Sequence, residues 1–279
     1  MMFKIINKKE LAEGIKLLEV NAPIISQKAK PGQFVVVIVD SFGERIPLTI
    51  ADWDSVKGTI TLIFQEVGFS TRKLGELSEG DKIYSLLGPL GRPTEIAKFG
   101  TVVCVGGGVG VAELFPVARA FKEAGNSCLG IIGSRSKNLL ILEDEMKSVS
   151  KELYITTDDG SYGQKGFVTE ILRQILNRQP INLVYAIGPV LMMEAVAKET
   201  LPFKIKTVVS LNPIMVDATG MCGACRCKVA GKTVFGCVDG PEFDAHLVDF
   251  KELRQRLNSF KEQEQSIFKT CENKNPKKE

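Results

Sequence analysis

The sequence is poor in histidine and tryptophan, with one of each among its 279 residues. Because His246 is the only imidazole, any mechanism that needs two histidines from this chain is excluded. An excess of charge is also missing, since 36 Lys and Arg against 33 Asp and Glu leave a net charge of +3. Electrostatics alone therefore predict neither nucleic-acid binding nor attraction to an anionic membrane.

Long apolar runs are absent as well. The longest, such as Phe34 to Val39, have the length of a strand and fall far short of the roughly 18 residues of a membrane span. The first residues carry charges without the apolar core of a signal peptide, so we expect a cytoplasmic protein. In such a protein the seven cysteines are better explained as metal ligands, redox groups or buried thiols than as disulfides. Cys104 and Cys128 fall in predicted strands as core residues, and Cys271 is a lone thiol near the end of the chain.

The residue patterns divide the chain into three parts. Residues 1–97 contain short β-rich runs separated by Gly and Pro, which predicts a small antiparallel β-barrel. Residues 98–213 alternate strand and helix from Thr101 onward, which predicts an α/β domain with a five-stranded parallel sheet and covering helices. Residues 214–279 hold a cysteine-rich loop, then a charged amphipathic helix candidate from Asp244 to Thr270 and a frayed end from Asn273 to Glu279. The predicted fold class is therefore mixed: an antiparallel β-barrel, then an α/β domain with a parallel sheet, then a small C-terminal part with the cysteine-rich loop.

Four cysteines in the last part have the spacing C-x2-C-x-C-x9-C. A plant-type [2Fe–2S] loop has the spacing C-x4-C-x2-C and a distant fourth ligand. That spacing appears here when an aspartate takes the first position, which favours as ligands Asp217, Cys222, Cys225 and Cys237. Three alternatives stay open: Cys227 in place of Asp217, a structural zinc site, and buried reduced thiols. Carboxylate oxygen donates less electron density to iron than thiolate, so an Asp217 ligand predicts a raised reduction potential.

A glycine-rich loop follows the first predicted strand of the α/β part and opens a helix. Its residues Gly106 to Gly110 allow the backbone to approach a phosphate closely. Val111 stands where a dinucleotide fingerprint has its third glycine, and the next strand ends at Ser134 and Arg135 without an acidic residue for a ribose. These departures argue against a two-domain dehydrogenase. Arg135 suits either a 2′-phosphate or an adenine ring, which leaves NAD against NADP open.

Two barrel segments and one α/β segment resemble the ferredoxin-reductase superfamily. Residues 45–49, Arg-Ile-Pro-Leu-Thr, are similar to its R-x-x-[ST] flavin segment, although Arg45 lies four residues before Thr49 instead of three. Residues 68–71, Gly-Phe-Ser-Thr, resemble its FAD-phosphate segment, with a predicted helix start at Ser70 whose N–H groups favour anions. Gly188, Pro189 and Met192 are similar to its nicotinamide-side G-P-x-x-M loop.

Nearly the whole chain resembles the electron-transfer subunit of dihydroorotate dehydrogenase. It is more similar to the small subunit of NADH-dependent ferredoxin:NADP oxidoreductase, also known as a sulfide dehydrogenase subunit. The segments 140–146, 157–163 and 217–243 carry this resemblance. Aspartate at position 217 points to the second family, because the dihydroorotate branch typically has cysteine there.

The resemblance implies a heterodimer with a larger flavin and [4Fe–4S] subunit that splits electron pairs from NADPH. One electron of each pair goes to ferredoxin, and the other enters this chain. This chain would carry FAD, a [2Fe–2S] cluster and an NAD(H) site, with no catalytic side chain. Cofactor binding is then expected of the residues of the segments described above and their neighbours: Arg45, Pro47, Leu48, Thr49, Ile63, Phe64, Gly68, Ser70, Thr71, Gly107, Gly108, Val109, Gly110, Ser134, Arg135, Asp158, Gly188, Pro189 and Met192. The alternatives are the dihydroorotate dehydrogenase subunit and a zinc-stapled, nucleotide-binding regulatory protein. His246 is expected to be a surface or partner contact.

Overall fold

Two seven-stranded β-sheets and a two-stranded hairpin organise residues 3–264 and 266, which are those that the computed structural model describes. The first sheet has the strand order β6-β1-β2-β5-β4-β3-β7, with every neighbouring pair antiparallel. It confirms the predicted barrel. Its elements are β1 (Phe3–Ala12), β2 (Ile15–Asn21), α1 (Pro23–Ser26), β3 (Phe34–Ile38), β4 (Ile46–Asp54), β5 (Thr59–Gln65), α2 (Phe69–Glu76), β6 (Lys82–Ile83) and β7 (Ser85–Leu90).

Strand β1 forms where the residue pattern of a strand is weak. Its residues include charged Lys and Glu side chains, and only Ile5 is buried, so the hydrophobic alternation of a strand is weak. The backbone pairs with β2 nevertheless, from Ile5 opposite Val20 to Ala12 opposite Ile15, with two irregularities in the register. Tertiary pairing thus outweighs local pattern here.

The second half of the chain supplies a mixed sheet, its helices and the hairpin. The elements are β8 (Thr101–Gly107), α3 (Val111–Glu123), β9 (Ser127–Ser134), α4 (Glu143–Val149), β10 (Glu152–Thr157), β11 (Gln164–Lys165), α5 (Val168–Arg178), β12 (Leu183–Ile187), α6 (Val190–Thr200), β13 (Lys206–Ser210), β14 (Arg226–Val229), β15 (Lys232–Phe235), β16 (Glu242–Asp244) and α7 (Phe250–Leu257). The sheet order is β11-β10-β9-β8-β12-β13-β16.

The five predicted parallel strands are β8, β9, β10, β12 and β13, and all are parallel to their neighbours among these five. Two short edge strands extend the sheet beyond the prediction. Strand β11 is parallel to β10, whereas β16 returns from the cysteine-rich part and is antiparallel to β13. The boundaries 97/98 and 213/214 stay predictions.

Helices cover both faces of the mixed sheet. In α5 the buried residues follow the spacing of one helical face, from Val168 through Ile171 and Leu172 to Ile175, and they share a core with α6 and α7. On the opposite face α3 and α4 share a core with Ile15 and Ile63 of the barrel, so α3 joins the two sheets. Helix α4 begins at Glu143, directly after Leu142, which has a left-handed φ of 56°.

The helix of the tail begins later than expected, at Phe250. Helix α7 ends at Leu257, residues 261–264 are helical again, and the predicted end at Thr270, Cys271 and the stretch from Asn273 lie outside the described residues. His246 is half-buried, with its Nε2 atom 2.9 Å from the Thr200 hydroxyl. Within the part of the chain that the structure covers, no helix has the length and apolarity needed to cross a bilayer.

Candidate functional site

A cavity of about 1190 Å³ lies between the barrel sheet and the carboxyl ends of the parallel strands. Ligands of open α/β sheets bind at this end of the strands. The volume exceeds the usual range of about 300–1,000 Å³ for one small ligand, so two extended ligands can share it. All but three of the predicted cofactor-binding residues line it: Pro47, Leu48, Thr49, Ile63, Phe64, Thr71, Gly107, Gly108, Val109, Gly110, Ser134, Arg135, Asp158, Gly188, Pro189 and Met192.

Two loops meet tightly on the side of this cavity formed by the mixed sheet, and glycine makes the contact possible. A Cβ on Gly110 would lie 2.9 Å from the Ile187 carbonyl oxygen, and one on Gly107 would lie 2.5 Å from the Met192 sulfur. Contacts this short do not occur in real structures, so any side chain would force the loops apart. The glycine loop after β8 and the Gly188 loop after β12 therefore form one continuous floor.

The far end of the cavity is polar. Ser134 ends β9, and Arg135 and Asp158 follow β9 and β10, so their main chains run side by side. The Asp158 amide donates to the Ser134 carbonyl oxygen at 3.1 Å, and the Ser134 hydroxyl donates to the Ser136 carbonyl oxygen at 2.7 Å. This places one cationic and one anionic side chain at the end where a ribose or phosphate of a dinucleotide would lie.

On the barrel side, β4 presents an apolar edge with one hydroxyl. Pro47, Leu48 and Thr49 pair with Val36, Val35 and Phe34 of β3, which fixes their positions against the cavity. The Thr49 hydroxyl donates to Oε2 of Glu113 at 2.8 Å. A flat apolar surface with an oriented hydroxyl suits an aromatic ring system that carries polar atoms on its rim.

Glu113 is a residue of this site that sequence reasoning missed. It lies in the first turn of α3, lines the cavity and is 7% exposed. Burial raises the pKa of its carboxyl to about 7, although hydrogen bonds from Ser210 and Thr49 act in the opposite direction. The only signal in the sequence is a carboxylate directly after the glycine loop among apolar residues, a position typical of a solvated helix face.

A second buried carboxyl extends this polar cluster. Glu242 accepts from the Tyr185 hydroxyl at 2.8 Å and from the Thr94 hydroxyl at 2.5 Å, and burial raises the pKa of Glu242. The Tyr185 hydroxyl also lies 3.5 Å from Oε1 of Glu113. The cluster therefore connects the barrel, the mixed sheet and the segment that follows the cysteines.

Three predicted cofactor residues lie outside the cavity lining. Arg45 donates from Nε to the Val216 carbonyl oxygen at 2.9 Å and from Nη2 to the Asp217 carbonyl oxygen at 3.0 Å. The Ser70 hydroxyl donates to Glu44 at 2.7 Å in a smaller pocket, so it faces away from Thr71 in the main cavity. Gly68 precedes α2, which begins at Phe69, one residue earlier than predicted.

The four predicted metal ligands lie as two contacting pairs, Cys225 with Cys237 and Asp217 with Cys222. Cys225 and Cys237 are buried, with 3.2 Å between their sulfur atoms, whereas Cys222 is exposed. The Asp217 carboxylate accepts from the Cys222 amide at 2.8 Å and from the Thr219 amide at 2.9 Å, and these bonds help to lower the pKa of Asp217. Asp217 is also close enough to Cys237 to raise the pKa of that thiol, a smaller effect than burial. Among the described residues, no three His, Cys, Asp or Glu side chains stand in finished metal-binding geometry.

The alternative ligand, Cys227, lies in a different environment. It begins the β14–β15 hairpin and packs in the core beneath α7, whereas Cys225 and Cys237 pack with Phe34 and Val36 of the barrel. Its thiol donates to the Cys225 carbonyl oxygen at 3.5 Å. The packing of this side chain favours Asp217 over Cys227 as the fourth ligand.

Two protein families match separate parts of the chain. An oxidoreductase NAD-binding domain family matches residues 104–198, and the iron–sulfur cluster binding domain of dihydroorotate dehydrogenase B matches residues 212–249. These matches confirm the predicted NAD(H) and iron–sulfur cofactors.

Relatives match almost the whole chain. A protein of Thermotoga maritima, named as a homolog of the dihydroorotate dehydrogenase B (NAD(+)) electron transfer subunit, is 45% identical over 95% of this chain and 94% of its own length. The electron transfer subunit of dihydroorotate dehydrogenase B from Fusobacterium nucleatum is 31% identical over 87% of this chain and 95% of its own length.

A solved structure is also similar over nearly the full length. It is described as an NADH-dependent reduced ferredoxin-NADP oxidoreductase that gives insight into flavin-based electron bifurcation, and it is 43% identical with a TM-score of 0.92. The match covers 97% of this chain and 98% of that one. Phthalate dioxygenase reductase, at 18% identity and a TM-score of 0.59, shares the fold. The chain therefore belongs to the family of dihydroorotate dehydrogenase B electron transfer subunits and their homologues, in the ferredoxin-reductase superfamily, and is an electron-transfer subunit of an NAD-dependent oxidoreductase.

Proposed function

We propose that this chain passes electrons between NAD(H), FAD and a [2Fe–2S] cluster as the small subunit of a bifurcating NADH-dependent ferredoxin:NADP oxidoreductase. One observation carries the proposal: the cavity and the cysteine site share a wall. Phe34 and Met215 line the cavity and also pack with Cys225 and Cys237. Phe34 and Met215 thus contact both sites, which suits transfer of electrons between a dinucleotide bound in the cavity and a cluster bound by the thiols.

The cavity residues fit FAD and NAD(H) together. The barrel edge offers the apolar strand segment of Pro47 and Leu48, and the opposite floor has glycines at positions where any Cβ would clash. When bound, nicotinamide exchanges hydrides and an iron–sulfur cluster exchanges single electrons, and a flavin between them can do both. Hydride exchange needs rings held in contact and no general acid or nucleophile.

The chain's own side chains then have defined tasks. Thr49 is held by its bond to Glu113, so its hydroxyl has a fixed place at the barrel edge. Gly107 and Gly110 let the main chain approach a dinucleotide, while Phe34 and Met215 exclude water between the cavity and the cysteines. Glu113, with its pKa of about 7, can hold or release a proton at the cavity wall near neutral pH.

The donor set at the cysteine loop fits a [2Fe–2S] cluster. Two of the thiols, those of Cys225 and Cys237, are already in contact, and the Asp217 carboxylate accepts from the main-chain amide of Cys222, which keeps the carboxylate beside the third cysteine. The cluster would replace contacts that the thiols now make with one another. Met221, next to Cys222 in the chain, is 88% exposed, and Val216, next to Asp217, is 50% exposed, so apolar side chains adjoining two of the proposed ligands are available to a larger flavin and [4Fe–4S] subunit.

The first test is the visible spectrum of anaerobically purified protein, with iron and acid-labile sulfide assays, before and after addition of NADH. We expect flavin bands and broad cluster absorption that NADH bleaches. A colourless protein that contains zinc would refute the proposal and favour a nucleotide-binding regulatory protein.

The second test separates the two oxidoreductase families. The purified chain is mixed with a bifurcating-type large subunit or with a dihydroorotate-oxidising subunit, and complex formation is measured by size-exclusion chromatography. We expect a stable heterodimer with the first, and NADPH-dependent ferredoxin reduction only in that mixture when NAD⁺ is present. A heterodimer with the second, which reduces NAD⁺ with dihydroorotate, would instead assign the chain to dihydroorotate dehydrogenase, as the names of several relatives suggest.

A further inference from the structure

Arg45 connects the barrel edge to the segment that carries the proposed ligand Asp217. Its Nε and Nη2 atoms donate to two successive carbonyl oxygens, those of Val216 and Asp217, at 2.9 and 3.0 Å. A guanidinium group presents these donors in a rigid fork, so one side chain fixes two adjacent peptide groups. Arg45 also directly precedes Ile46, the first residue of β4, whose next residues line the cavity.

A second arginine of the barrel side holds the other end of the cysteine loop. Arg92 donates from its amide to the Gly240 carbonyl oxygen at 2.7 Å and from Nε to the Val238 carbonyl oxygen at 3.1 Å. These carbonyls follow Cys237, the last proposed ligand. The two arginines thus bind the loop on both sides of the cysteines, and Arg45 is the one that bonds to a proposed ligand residue.

The charge of Arg45 matters as well as its geometry. It bonds to the main chain of Asp217, and Arg45 makes no ion pair with a carboxylate among the contacts of the described residues. A cationic group beside a metal site favours the form of the site that carries more negative charge, which is the reduced form. An uncharged residue at this position would therefore lower the reduction potential of a bound cluster.

We propose that Arg45 is a positioning residue that fixes the Asp217 segment against the flavin-side strand and raises the reduction potential of the cluster, and that it is not a ligand of a flavin phosphate. The inference rests on the proposed function, because it concerns the path between FAD and the cluster. It assigns to Arg45 a role different from the one that the R-x-x-[ST] resemblance implies, in which the arginine lies three residues before the hydroxyl residue and not four as here.

The test uses the purified full-length protein with its cofactors and the variants Arg45→Gln and Arg45→Lys. Arg178→Gln is the matched control, because Arg178 is an exposed residue at the end of α5. Three quantities are measured: FAD content, the cluster potential by EPR-monitored titration, and the rate at which the cluster is reduced after NADH is mixed in. Arg45→Gln should keep its FAD, lower the potential and slow cluster reduction about tenfold, equivalent to about 1.4 kcal/mol.

The lysine variant separates charge from geometry. Arg45→Lys should keep the wild-type potential and still reduce its cluster more slowly, because an ammonium group lacks the fork that spans two carbonyls. Loss of FAD from Arg45→Gln with an unchanged cluster spectrum would overturn the proposal and make Arg45 a flavin-phosphate ligand. Identical behaviour of Arg45→Gln and Arg178→Gln would also overturn it.

Hydrogen exchange provides a readout that needs neither cofactor. The amides of residues 215–222 should exchange faster in Arg45→Gln than in wild type, and unchanged protection would contradict the positioning role. A wild-type protein without FAD or iron would refute the proposed function, whereas this exchange measurement would still decide whether Arg45 holds the loop.

Discussion

The buried carboxyl of Glu113 predicts how the stability of the protein depends on pH. Its pKa is about 7 in the folded protein against 4.5 for an ordinary glutamate, so the folded state holds the proton more tightly than the unfolded chain does. The contribution of Glu113 to the free energy of unfolding is therefore fully present below pH 4.5 and is lost as the pH rises to 7. The difference of 2.5 pKa units, at 1.36 kcal/mol each, gives a loss of about 3 kcal/mol.

Glu113→Gln removes this titration and keeps a neutral side chain of the same size. Urea unfolding followed by circular dichroism between pH 5 and 8 should show wild type losing up to about 3 kcal/mol more than Glu113→Gln over this range. Glu242 is present in both proteins, so the difference between the two curves isolates Glu113. The control is Glu76→Gln at an exposed position of α2, which should follow wild type. Parallel curves for wild type and Glu113→Gln, or a wild type that gains stability relative to Glu113→Gln as the pH rises, would refute the reasoning.

Three further substitutions test the cysteine loop and the glycine floor. Asp217→Cys should lower the cluster potential in a redox titration, because thiolate donates more electron density than carboxylate, and a potential equal to or above wild type would contradict an aspartate ligand. Cys227→Ala should retain iron and sulfide and lose about 1–2 kcal/mol of stability in urea unfolding, since its side chain fills the core beneath α7; loss of the cluster would instead make Cys227 a ligand. Gly110→Ala should destabilise the protein by about 1–3 kcal/mol, because its Cβ would lie 2.9 Å from the Ile187 carbonyl oxygen. It should also weaken NADH binding measured by calorimetry. Wild-type affinity and stability would show that the loops can separate freely.

The sequence was sufficient where local pattern determines structure. The parallel strands are short runs of β-branched residues, and the glycine loop and the cysteine spacing are each contained in about twenty residues. The positions of Gly107 and Gly110 on the cavity floor follow from the strand that precedes them. Such features are readable because the residues that decide them are neighbours in the chain.

The residues that escaped prediction are defined by distant partners. Its position in the sequence suggests that Glu113 is a surface residue of α3. In the structure its carboxylate accepts a hydrogen bond from Thr49, which is 64 positions away. Arg45 bonds to a segment 171 and 172 positions away. Strand β16 has three residues, too few for a periodic pattern, and exists because β13 offers it an edge.

The register between β13 and β16 has a consequence for how the protein can change. Ser210 pairs directly with Glu242, so residues 211–241, which hold every proposed cluster ligand, leave and re-enter the sheet at adjacent positions. Closing a flexible loop of this length costs about 3 kcal/mol of chain entropy, a term that grows only slowly with length. The sheet therefore holds the two ends of the cluster-bearing stretch side by side, while Arg45, Arg92 and the core beneath α7 hold its interior. A replacement loop would have to recreate those interior contacts as well as join the two ends.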